Sequence, residues 1–358
     1  MGADIAEQLN EETRRRYVKG KKLGEGTYAI VYRGHLAADP AQAVAIKKIK
    51  VNADYKDGLT MDAIREVKFL QELSHPNIIA MHAVFSSRNQ NLNLVLEFLP
   101  LGDLEMLIRG SDSVAYGIAD IKAWMAMLAR AVHFCHSRFV LHRDIKPNNL
   151  LIAADGTVKL ADFGLARGFA DPYSPMTHNV ITRWYRPPEL FFRARFYSGA
   201  VDVWSMGCVF AELVMRTPFM PGNTDIDQVS VISRAIGTPT EDNWPGVSSL
   251  EGYVPVAKDK VNPVQGKQYY LGLFGLVGPL GVDLLMSMLV LDPRRRATTR
   301  KVLAHDWWRA EPKPTKKEEL PKKGGGESRV GEDLKRRGGE LENGRSDKVA
   351  RKLDFGGK

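Results

Sequence analysis

Apolar and polar residues follow two different periodicities along the chain, and the change falls near residue 100. Before it, Val44–Ile49 and Leu92–Leu96 are short apolar-rich runs that predict strands. Between these runs, apolar residues recur every third position from Met61 to Leu73, which predicts a helix with one apolar face. The recurring residues are Ile64, Val67, Leu70 and Leu73. Residues 17–99 are therefore predicted to form a strand-rich lobe with one helix.

After residue 100 the pattern is helical. Ile121–His136 contains no glycine or proline and predicts a long helix, and Val201–Met215 predicts a second, largely buried one. Leu271–Leu291 is an apolar run long enough to suggest a membrane span, but its four glycines, with Pro279 and Asp283, argue against one. We interpret it as a glycine-rich loop followed by a buried helix from about residue 282.

Composition and charge narrow the function classes. With 358 residues, of which 44% are hydrophobic and 26% charged, the chain has the composition of an ordinary soluble globular protein. The net charge of +9 permits weak nucleic-acid contact, but no basic-aromatic stripe is present, so direct nucleic-acid binding is not expected. Cys135 and Cys208 lie in apolar helical stretches and are predicted to be buried free thiols.

The two ends of the chain differ from its middle. Residues 1–16 are polar and form an N-terminal extension before the first lobe. From residue 310 onward, glycine clusters and runs of lysine and glutamate cannot build a hydrophobic core. Residues 310–358 are therefore predicted to be a disordered basic tail, and residues 100–309 are predicted to form a second, helical lobe.

Two polar motifs carry the chemistry. The first is the run from His142 to Asn149, and the second is Asp162-Phe163-Gly164. Asp144 can accept a proton from an attacking hydroxyl, and Lys146 can neutralise charge on a transferred phosphate. Asn149 and Asp162 carry the oxygen donors that hold Mg²⁺ against phosphates.

A glycine-rich segment upstream supplies a cover for phosphates. In Leu23–Val31, Gly24 and Gly26 let the backbone approach phosphate oxygens closely, and Ala29 stands where the pattern has a third glycine. Lys47 follows in a predicted strand and would place a cation on the α- and β-phosphates. Glu66, on the predicted helix, is its expected anionic partner.

These motifs resemble those of eukaryotic protein kinases over residues 17–308. Pro187-Pro188-Glu189 is similar to the end of an activation segment, with Glu189 expected to pair with Arg296, and residues 202–207 are similar to the helix that anchors the catalytic loop. The resemblance implies an α+β, bilobal fold and the cofactors ATP and Mg²⁺. It also implies that Thr182 acts with Lys47, Glu66, Asp144 and Lys146 in catalysis. The nucleotide contacts that it implies are Leu23, Gly24, Glu25, Gly26, Thr27, Tyr28, Ala29, Ile30, Val31, Ala45, Lys47, Leu96, Glu97, Leu99 and Leu151.

Within the kinases, the chain resembles the cyclin-dependent group. Ala63–Glu66 matches the cyclin-facing helix of that group, and residues 218–222 and 237–240 are also typical of it. The segment before this helix, together with Thr182–Arg186 and residues 350–355, is most similar to the CDK-activating kinases that serve as the kinase subunit of transcription factor IIH. The resemblance implies a cyclin H-like subunit on the Ala63–Glu66 helix, membership of transcription factor IIH, a nuclear location, and room for an assembly factor.

The resemblance also implies a substrate class. Val180–Thr182 with Arg186 matches the pocket of proline-directed kinases, which accept proline after the phosphorylated residue because proline has no N–H to leave unpaired. Ser/Thr-Pro sites are therefore the expected substrates. The heptad-repeat tail of RNA polymerase II and the activation loops of other cyclin-dependent kinases are examples of such sites.

A phosphorylation switch follows from the same resemblance. Arg65, Arg143 and Arg167 come from three different segments, and three converging guanidinium groups repel one another unless an anion lies between them. Phosphorylated Thr177 is the expected anion, and cyclin binding is expected to bring Arg65 into the cluster. Thr27 and Tyr28 are either inhibitory phosphorylation sites or ordinary loop residues.

Two features depart from the related kinases. Asp171-Pro172 stands where the animal relatives carry a Ser-Pro site, and its carboxylate is expected to mimic a phosphate in part. Leu101-Gly102-Asp103 makes the connection after the first lobe one residue longer than usual, which puts the rim of the nucleotide pocket in question.

Other interpretations stay open at this point. The chain could be another cell-cycle or transcriptional cyclin-dependent kinase, or an inert kinase-like scaffold, although all five polar residues of the transfer site are present. A MAP-kinase-like enzyme would need no cyclin. Such enzymes carry Thr-x-Tyr in the activation loop, whereas here Thr177 is followed by His178-Asn179.

Overall fold

The strand-rich and helical parts of the sequence form two lobes in the structure of the chain, a computed structural model. It describes residues 2–25, 29–50, 61–87, 91–110, 114–171 and 173–322. In the first lobe, the predicted strands at residues 44–49 and 92–96 and the helix at 61–73 are confirmed. The elements of this lobe are α1 (Gly2–Arg15), β1 (Tyr17–Glu25), β2 (Ala29–Leu36), β3 (Asp39–Ile49), α2 (Met61–Glu72), β4 (Met81–Ser86) and β5 (Leu92–Glu97).

The five strands make one antiparallel sheet in the order β1-β2-β3-β5-β4. Because side chains alternate along a strand, β3 sends neighbouring residues to opposite faces. Val44 and Ile46 pack with Val95 in a small apolar cluster on one face. Lys47 lies on the other face, where it reaches across to Asp162 of the second lobe. The register of β3 therefore aims this lysine at the space between the lobes.

Helix α1 belongs to the N-terminal extension and lies against the edge strand β4. The side-chain amide of Asn10 donates to the carbonyl oxygen of Ser86 at 3.1 Å, and the amide N–H of Ser86 donates back to Asn10 Oδ1 at 2.6 Å. This pair satisfies main-chain groups that an edge strand would otherwise present to solvent.

The buried face of α2 differs from the face that the sequence predicted. Ala63, Glu66, Phe69 and Leu70 are buried, whereas Ile64 is 45% exposed, so its place on the apolar face was wrong. Glu66 turns inward because it pairs with a lysine, and the helix is rotated accordingly. A count of apolar residues every three positions misses this because it treats a glutamate as a surface residue.

The second lobe is helical, and the long helices predicted at residues 121–136 and 201–215 are confirmed. Helix α6 is mostly apolar and is buried from Val201 to Leu213, while α4 packs beside it. Cys135 and Cys208 are buried free thiols on these helices, as predicted. The helices are α3 (Leu104–Arg109), α4 (Ile118–Ser137), α5 (Pro188–Phe191), α6 (Ala200–Met215), α7 (Asp225–Ala235), α8 (Lys267–Phe274), α9 (Gly278–Met288) and α10 (Thr299–Leu303).

Two small strand pairs hold the loops that carry the polar motifs. Each pair is antiparallel. In the sequence, each of the segments His142–Asn149 and Asp162–Gly164 has a strand of one pair before it and a strand of the other pair after it. The pairs are β6 (Val140–Leu141) with β9 (Arg167–Gly168), and β7 (Leu150–Ile152) with β8 (Val158–Leu160).

The apolar run in the second lobe is more helical than predicted. The expected glycine-rich loop before residue 282 is instead α8, a single turn of 3-10 helix at Gly275–Val277, and the start of α9. By length and composition the stretch from Lys267 to Met288 could cross a membrane. In this fold Phe274, Leu285 and Met288 are buried, and both helices pack against α6.

Residues 310–322 also correct a prediction, because they pack on the second lobe instead of starting a disordered tail. The ammonium of Lys122, a fully buried residue of α4, donates to the carbonyl oxygens of Ala310 and Pro312 at 2.7 and 2.8 Å. Leu320 is buried as well. The sequence around Lys122 does not predict that its ammonium binds main-chain carbonyl oxygens 188 and 190 residues further along the chain. The rest of the predicted tail, residues 323–358, lies outside the described residues.

Candidate active site

A single buried carboxylate holds the loop that carries the first polar motif. Asp202, on α6, accepts the main-chain N–H of His142 at 3.0 Å and that of Arg143 at 2.9 Å, and lies 2.8 Å from His136 Nε2. Burial alone would raise the pKa of this carboxyl, but the hydrogen bonds with His136 and with the main-chain N–H of Arg143 contribute to lowering it below its usual value. Arg143 has a φ of 64°, so Asp202 fixes the loop in a conformation that residues other than glycine rarely adopt.

His142 ties this loop to the second motif. Its Nδ1 accepts the main-chain N–H of Asp144 at 3.2 Å, so its Nε2 carries the proton and donates to the carbonyl oxygen of Ala161 at 3.0 Å. The ring also meets Phe163 edge-to-face at 4.8 Å. Burial lowers the pKa of His142, which keeps the imidazole neutral in this tautomer.

Asp144 lies at the centre of a compact polar cluster. Its Oδ1 accepts the hydroxyl of Thr182 at 2.9 Å, and its Oδ2 accepts the side-chain amide of Asn149 at 3.0 Å. The ammonium of Lys146 lies 3.3 Å from Asp144 Oδ2 and 3.2 Å from Thr182 Oγ1. The structure thus brings together a carboxylate, a cation and a hydroxyl that the sequence placed in one site.

Asn149 and Asp162 fit a magnesium ion by the chemistry of their donors. The side-chain amide nitrogen of Asn149 donates to the main-chain carbonyl oxygen of Asp144 at 2.7 Å and to its Oδ2 at 3.0 Å. The amide oxygen of Asn149 therefore points away from Asp144. Asp162 has a φ of 62° and offers carboxylate oxygens. Mg²⁺ prefers such hard oxygen donors, and it commonly takes one carboxylate together with phosphate oxygens and water.

Lys47 and Glu66 form the predicted ion pair across the first lobe. The ammonium of Lys47 lies 2.7 Å from Glu66 Oε1 and 2.8 Å from Oε2, and both side chains are largely buried. The same ammonium is 3.5 Å from Asp162 Oδ1. A cation is therefore held beside one of the two candidate metal ligands, at the junction of the lobes.

The predicted nucleotide contacts fall on strands that border this junction. Gly26, Thr27 and Tyr28 lie outside the described residues. Ala45 and Leu96 are direct neighbours in the sheet, since β3 and β5 pair with these residues opposite each other. The others lie on β1 (Leu23, Gly24, Glu25), β2 (Ala29, Ile30, Val31), β3 (Lys47), the end of β5 and the turn after it (Glu97, Leu99), and β7 (Leu151).

Besides Lys47, the side chains of Glu25 and Glu97 also have partners within the chain. Glu25 pairs with Lys50 at 2.6 Å. Glu97 Oε1 accepts from the ammonium of Lys159 and from the main-chain N–H of Ala80, both at 2.7 Å.

Gly102 shapes the connection after the first lobe, which the sequence predicts to be one residue longer than usual. Gly102 has a φ of 79°, and a Cβ at this position would lie 2.6 Å from Met106 Sδ. Its carbonyl oxygen accepts the N–H of Ile152 at 2.8 Å, and Leu101 donates to the carbonyl oxygen of Ile152 at 3.3 Å. The connection is thereby tied to β7, beside Leu151, and this holds the rim of the site in place.

Comparison with known proteins decides the family. A family model described as protein kinase domain matches residues 17–308. The chain belongs to the protein kinase family. The ion pair of Lys47 with Glu66 and the cluster around Asp144 are thus elements of a kinase.

Individual relatives narrow the type of kinase. The chain is 50% identical to serine/threonine-protein kinase crk1 of Schizosaccharomyces pombe, covering 89% of this chain and 93% of the relative, and 48% identical to serine/threonine-protein kinase KIN28 of Saccharomyces cerevisiae, covering 84% and 95%. A solved chain of the CAK complex from Chaetomium thermophilum bound to ATP-γ-S is 65% identical, with a TM-score of 0.86, covering 89% of this chain and 98% of that one. The kinase is a cyclin-dependent Ser/Thr kinase of the CDK-activating type, and it uses ATP and Mg²⁺.

Two of the three predicted regulatory arginines meet at the activation segment of the kinase. Arg143 donates to the hydroxyl of Tyr197 at 2.9 Å, and that hydroxyl donates to the carbonyl oxygen of Thr177 at 2.7 Å. Arg167 donates to the carbonyl oxygen of Pro175 at 2.9 Å. Burial raises the pKa of Tyr197, and the charges of Arg143 and Arg167 oppose that rise, so both cations act near this hydroxyl.

The third arginine is engaged elsewhere. Arg65 pairs with Asp62 of its own helix at 3.0 Å. The side chain of Thr177 is exposed. The lysine–glutamate pair is therefore in place, and of the three predicted arginines Arg143 and Arg167 lie beside the segment that carries Thr177, whereas Arg65 is paired with Asp62.

Asp171 has a structural partner of its own. Its Oδ1 accepts the main-chain N–H of Tyr173 at 2.9 Å, which makes a local turn, and Pro172 lies outside the described residues. The carboxylate thus supports the shape of the activation segment, and the expected likeness to a phosphate stays a prediction.

Sequence reasoning missed Tyr197 and a chain of hydrogen bonds under the activation segment. Ser205 donates to the carbonyl oxygen of Tyr185 at 2.8 Å, and the Tyr185 hydroxyl donates to Glu212 Oε2 at 2.7 Å. Burial raises the pKa of Glu212 to about 7. An acidic residue within the apolar run of α6 was a usable signal for this network, whereas Tyr197 lies in a loop with no pattern to mark it.

Proposed function

We propose that this kinase transfers the γ-phosphate of ATP to serine or threonine followed by proline, as the catalytic subunit of a cyclin-bound, CDK-activating complex. The observation that carries the substrate class is the conformation of Ile181, described below. The cluster of Asp144, Lys146 and Asn149 and the contact of Lys47 with Asp162 argue against an inert scaffold, and the relatives argue against a MAP-kinase-like enzyme.

Each side chain of the site is placed for one part of phosphoryl transfer. Asp144 is placed to orient the substrate hydroxyl and to accept its proton, because a carboxylate oxygen can accept a second hydrogen bond beside that of Thr182. Lys146, next to it, is placed to face the transferred phosphate. Bound Mg²⁺ neutralises charge on the triphosphate. Asn149 and Asp162 would hold the ion, and Lys47, steadied by Glu66, would hold the α- and β-phosphates.

Proline specificity follows from how the backbone turns at Ile181. This residue has a φ of 69°, and its carbonyl oxygen accepts from the guanidinium of Arg186 at 3.0 and 3.2 Å. Arg186 also donates to the carbonyl oxygen of Val180 at 2.9 Å. The carbonyl oxygens of Val180 and Ile181, which directly precede Thr182, thus already accept hydrogen bonds from Arg186. A substrate residue that follows the phosphorylated serine and has an N–H would leave it unpaired, whereas proline has none to lose.

We infer the partners and the cellular location from the type of kinase to which the relatives belong. We propose a cyclin H-like subunit on α2, an assembly factor, incorporation into transcription factor IIH, and a nuclear location. The RNA polymerase II repeat tail and the activation loops of other cyclin-dependent kinases both offer Ser/Thr-Pro sites. Exposure of Ile64 and Met61 on α2 supports a partner on this helix.

Three peptides that differ only in the residue after the serine should be phosphorylated at different rates. With the cyclin-bound kinase and Mg-ATP, kcat/KM for Ser-Ala should be about 5- to 150-fold below that for Ser-Pro, because an unpaired buried N–H costs about 1–3 kcal/mol. A peptide with N-methylalanine after the serine should recover much of the rate, since it also lacks the N–H. The measurement is steady-state phosphorylation with each peptide.

Equal rates on Ser-Pro and Ser-Ala would contradict the proposal for substrate class. A slow N-methylalanine peptide would show that the proline ring, and not the missing N–H, decides the preference. Activity that does not rise on addition of cyclin would contradict the proposed dependence on a cyclin.

A further inference from the structure

Glu105, in the first turn of α3, links that helix to the catalytic loop. Its Oε2 accepts the side-chain amide of Asn148, and its Oε1 pairs with the guanidinium of Arg109, one turn further along α3. The side chain of Glu105 is 20% exposed, whereas that of Arg109 is 54% exposed. The carboxylate is thus largely buried, and each of its two oxygens has a partner.

Asn148 belongs to the short turn that carries functional side chains of the loop. Pro147–Asn149 form a single turn of 3-10 helix, in which the N–H of Asn149 donates to the carbonyl oxygen of Lys146 at 3.0 Å. Asn148 directly precedes Asn149, the proposed magnesium ligand. A bond that fixes the side chain of Asn148 therefore restricts the turn from which Asn149 projects.

The helix that carries Glu105 is itself held in place. Asp103 Oδ1 accepts the N–H of Met106 at 2.9 Å, which caps the start of α3. Asp103 also forms an isolated antiparallel bridge with Leu151 of β7, the strand that follows the catalytic loop. The body of α3 packs against the turn at residues 147–149. Glu105 thus reaches the loop from a helix that is anchored beside it.

Asn149 therefore receives support from two directions in the chain. Asp144 accepts the side-chain amide of Asn149 itself, whereas Glu105 acts one residue earlier, on Asn148. A hydrogen bond to an ionised carboxylate is roughly twice as strong as one between neutral groups. Mg²⁺ demands near-ideal octahedral geometry, so a small displacement of a ligand weakens its binding. Loss of the bond between Glu105 and Asn148 should therefore change the response of the kinase to Mg²⁺.

We propose that Glu105 is a positioning residue for phosphoryl transfer. Through Asn148 it holds the turn that presents Asn149 to Mg²⁺, and this role needs no contact of Glu105 with the nucleotide. The inference rests on the proposed role of Asn149 as a magnesium ligand. It extends the transfer site to α3, a helix that carries none of the predicted site residues.

The test compares two replacements of Glu105 in the cyclin-bound, full-length kinase. Glu105→Leu removes the acceptor, whereas Glu105→Gln removes the charge but keeps an oxygen that can accept from Asn148. Arg109→Leu is the matched control, because it breaks the other pair of Glu105 and leaves Asn148 in contact. The readouts are kcat on the Ser-Pro peptide and the free Mg²⁺ concentration that gives half of the maximal rate at saturating ATP.

Glu105→Leu should raise the half-maximal Mg²⁺ concentration about fivefold and lower kcat, because the turn before Asn149 loses a hydrogen bond. Glu105→Gln should stay within about twofold of wild type on both measures, since the bond to Asn148 survives. Arg109→Leu should also stay within about twofold, because the arginine side chain is more than half exposed.

A reciprocal exchange tests the bond itself. Asn148→Asp alone sets two carboxylates against each other and should lower kcat about fivefold. Addition of Glu105→Gln restores a donor and an acceptor, with the same net charge as wild type, and should recover most of the rate. The exchange also decides the matter if Glu105→Leu does not fold, which thermal unfolding shows.

A lower thermal midpoint for Glu105→Leu, with wild-type kcat and Mg²⁺ response, would mean a purely structural role and would overturn the inference. No recovery in the exchange variant would overturn it as well. Asn149→Ala separates this inference from the proposal beneath it. A wild-type Mg²⁺ response of Asn149→Ala would overturn both, whereas a raised Mg²⁺ requirement there, with none in Glu105→Leu, would overturn only the role of Glu105.

Discussion

Replacement of Asp144 by asparagine should lower kcat about a thousandfold while the kinase stays folded. An amide cannot take the proton of the substrate hydroxyl, yet it has nearly the same shape and can still contact Thr182 and Asn149. The measurement is phosphorylation of the Ser-Pro peptide by the cyclin-bound variant at saturating ATP. Nucleotide affinity should change little, because Lys47, Asn149 and Asp162 are untouched.

Asp259→Asn is the control for this variant, because Asp259 is an exposed aspartate of the second lobe. It should keep the wild-type rate. Thermal unfolding of both variants separates a chemical loss from a folding defect. A normal kcat for Asp144→Asn would remove Asp144 from the role of proton acceptor.

Replacement of Arg296 by methionine should destabilise the kinase by about 3–5 kcal/mol. Its guanidinium makes two parallel bonds to Glu189, at 2.8 and 3.0 Å, and both side chains are buried. It also donates to three main-chain carbonyl groups and lies over the ring of Trp204. Without it, the carboxylate of Glu189 would stay in the core with no cation. Urea unfolding followed by tryptophan fluorescence measures the loss.

Two further variants make this test specific. Arg193→Met breaks a solvent-exposed pair with Glu251, in which both side chains are more than half exposed, and should cost at most about 1 kcal/mol. Addition of Glu189→Gln to Arg296→Met should restore part of the stability, since no charge then remains buried. A loss for Arg296→Met no greater than that for Arg193→Met would contradict the account of this pair.

The chemistry of the site was readable from sequence because it depends on residue types at short spacings. The catalytic loop places Asp144, Lys146 and Asn149 within six residues, and local geometry brings them together. Glu189 and Arg296 are 107 residues apart, so their pairing followed only from resemblance to kinases.

Two of the misses share a physical cause, which is a polar side chain buried against a partner on another element. Glu66 is buried because Lys47 meets it, and this rotates α2 and exposes Ile64. Lys122 is buried because carbonyl groups of residues 310 and 312 accept its protons, and this orders a segment whose composition predicted disorder. Periodicity describes one element at a time, so it cannot show a polar side chain that is drawn inward by another element.

A crystal structure of the kinase with Mg²⁺ and a non-hydrolysable ATP analogue tests the central claim most directly. We predict that the amide oxygen of Asn149 and the carboxylate of Asp162 bind the ion at about 2.0–2.1 Å, with the γ-phosphate facing Asp144 and with Lys47 on the α- and β-phosphates. A metal–triphosphate complex bound away from Asp144, Asn149 and Asp162 would contradict the claim that these three side chains form one phosphoryl-transfer site.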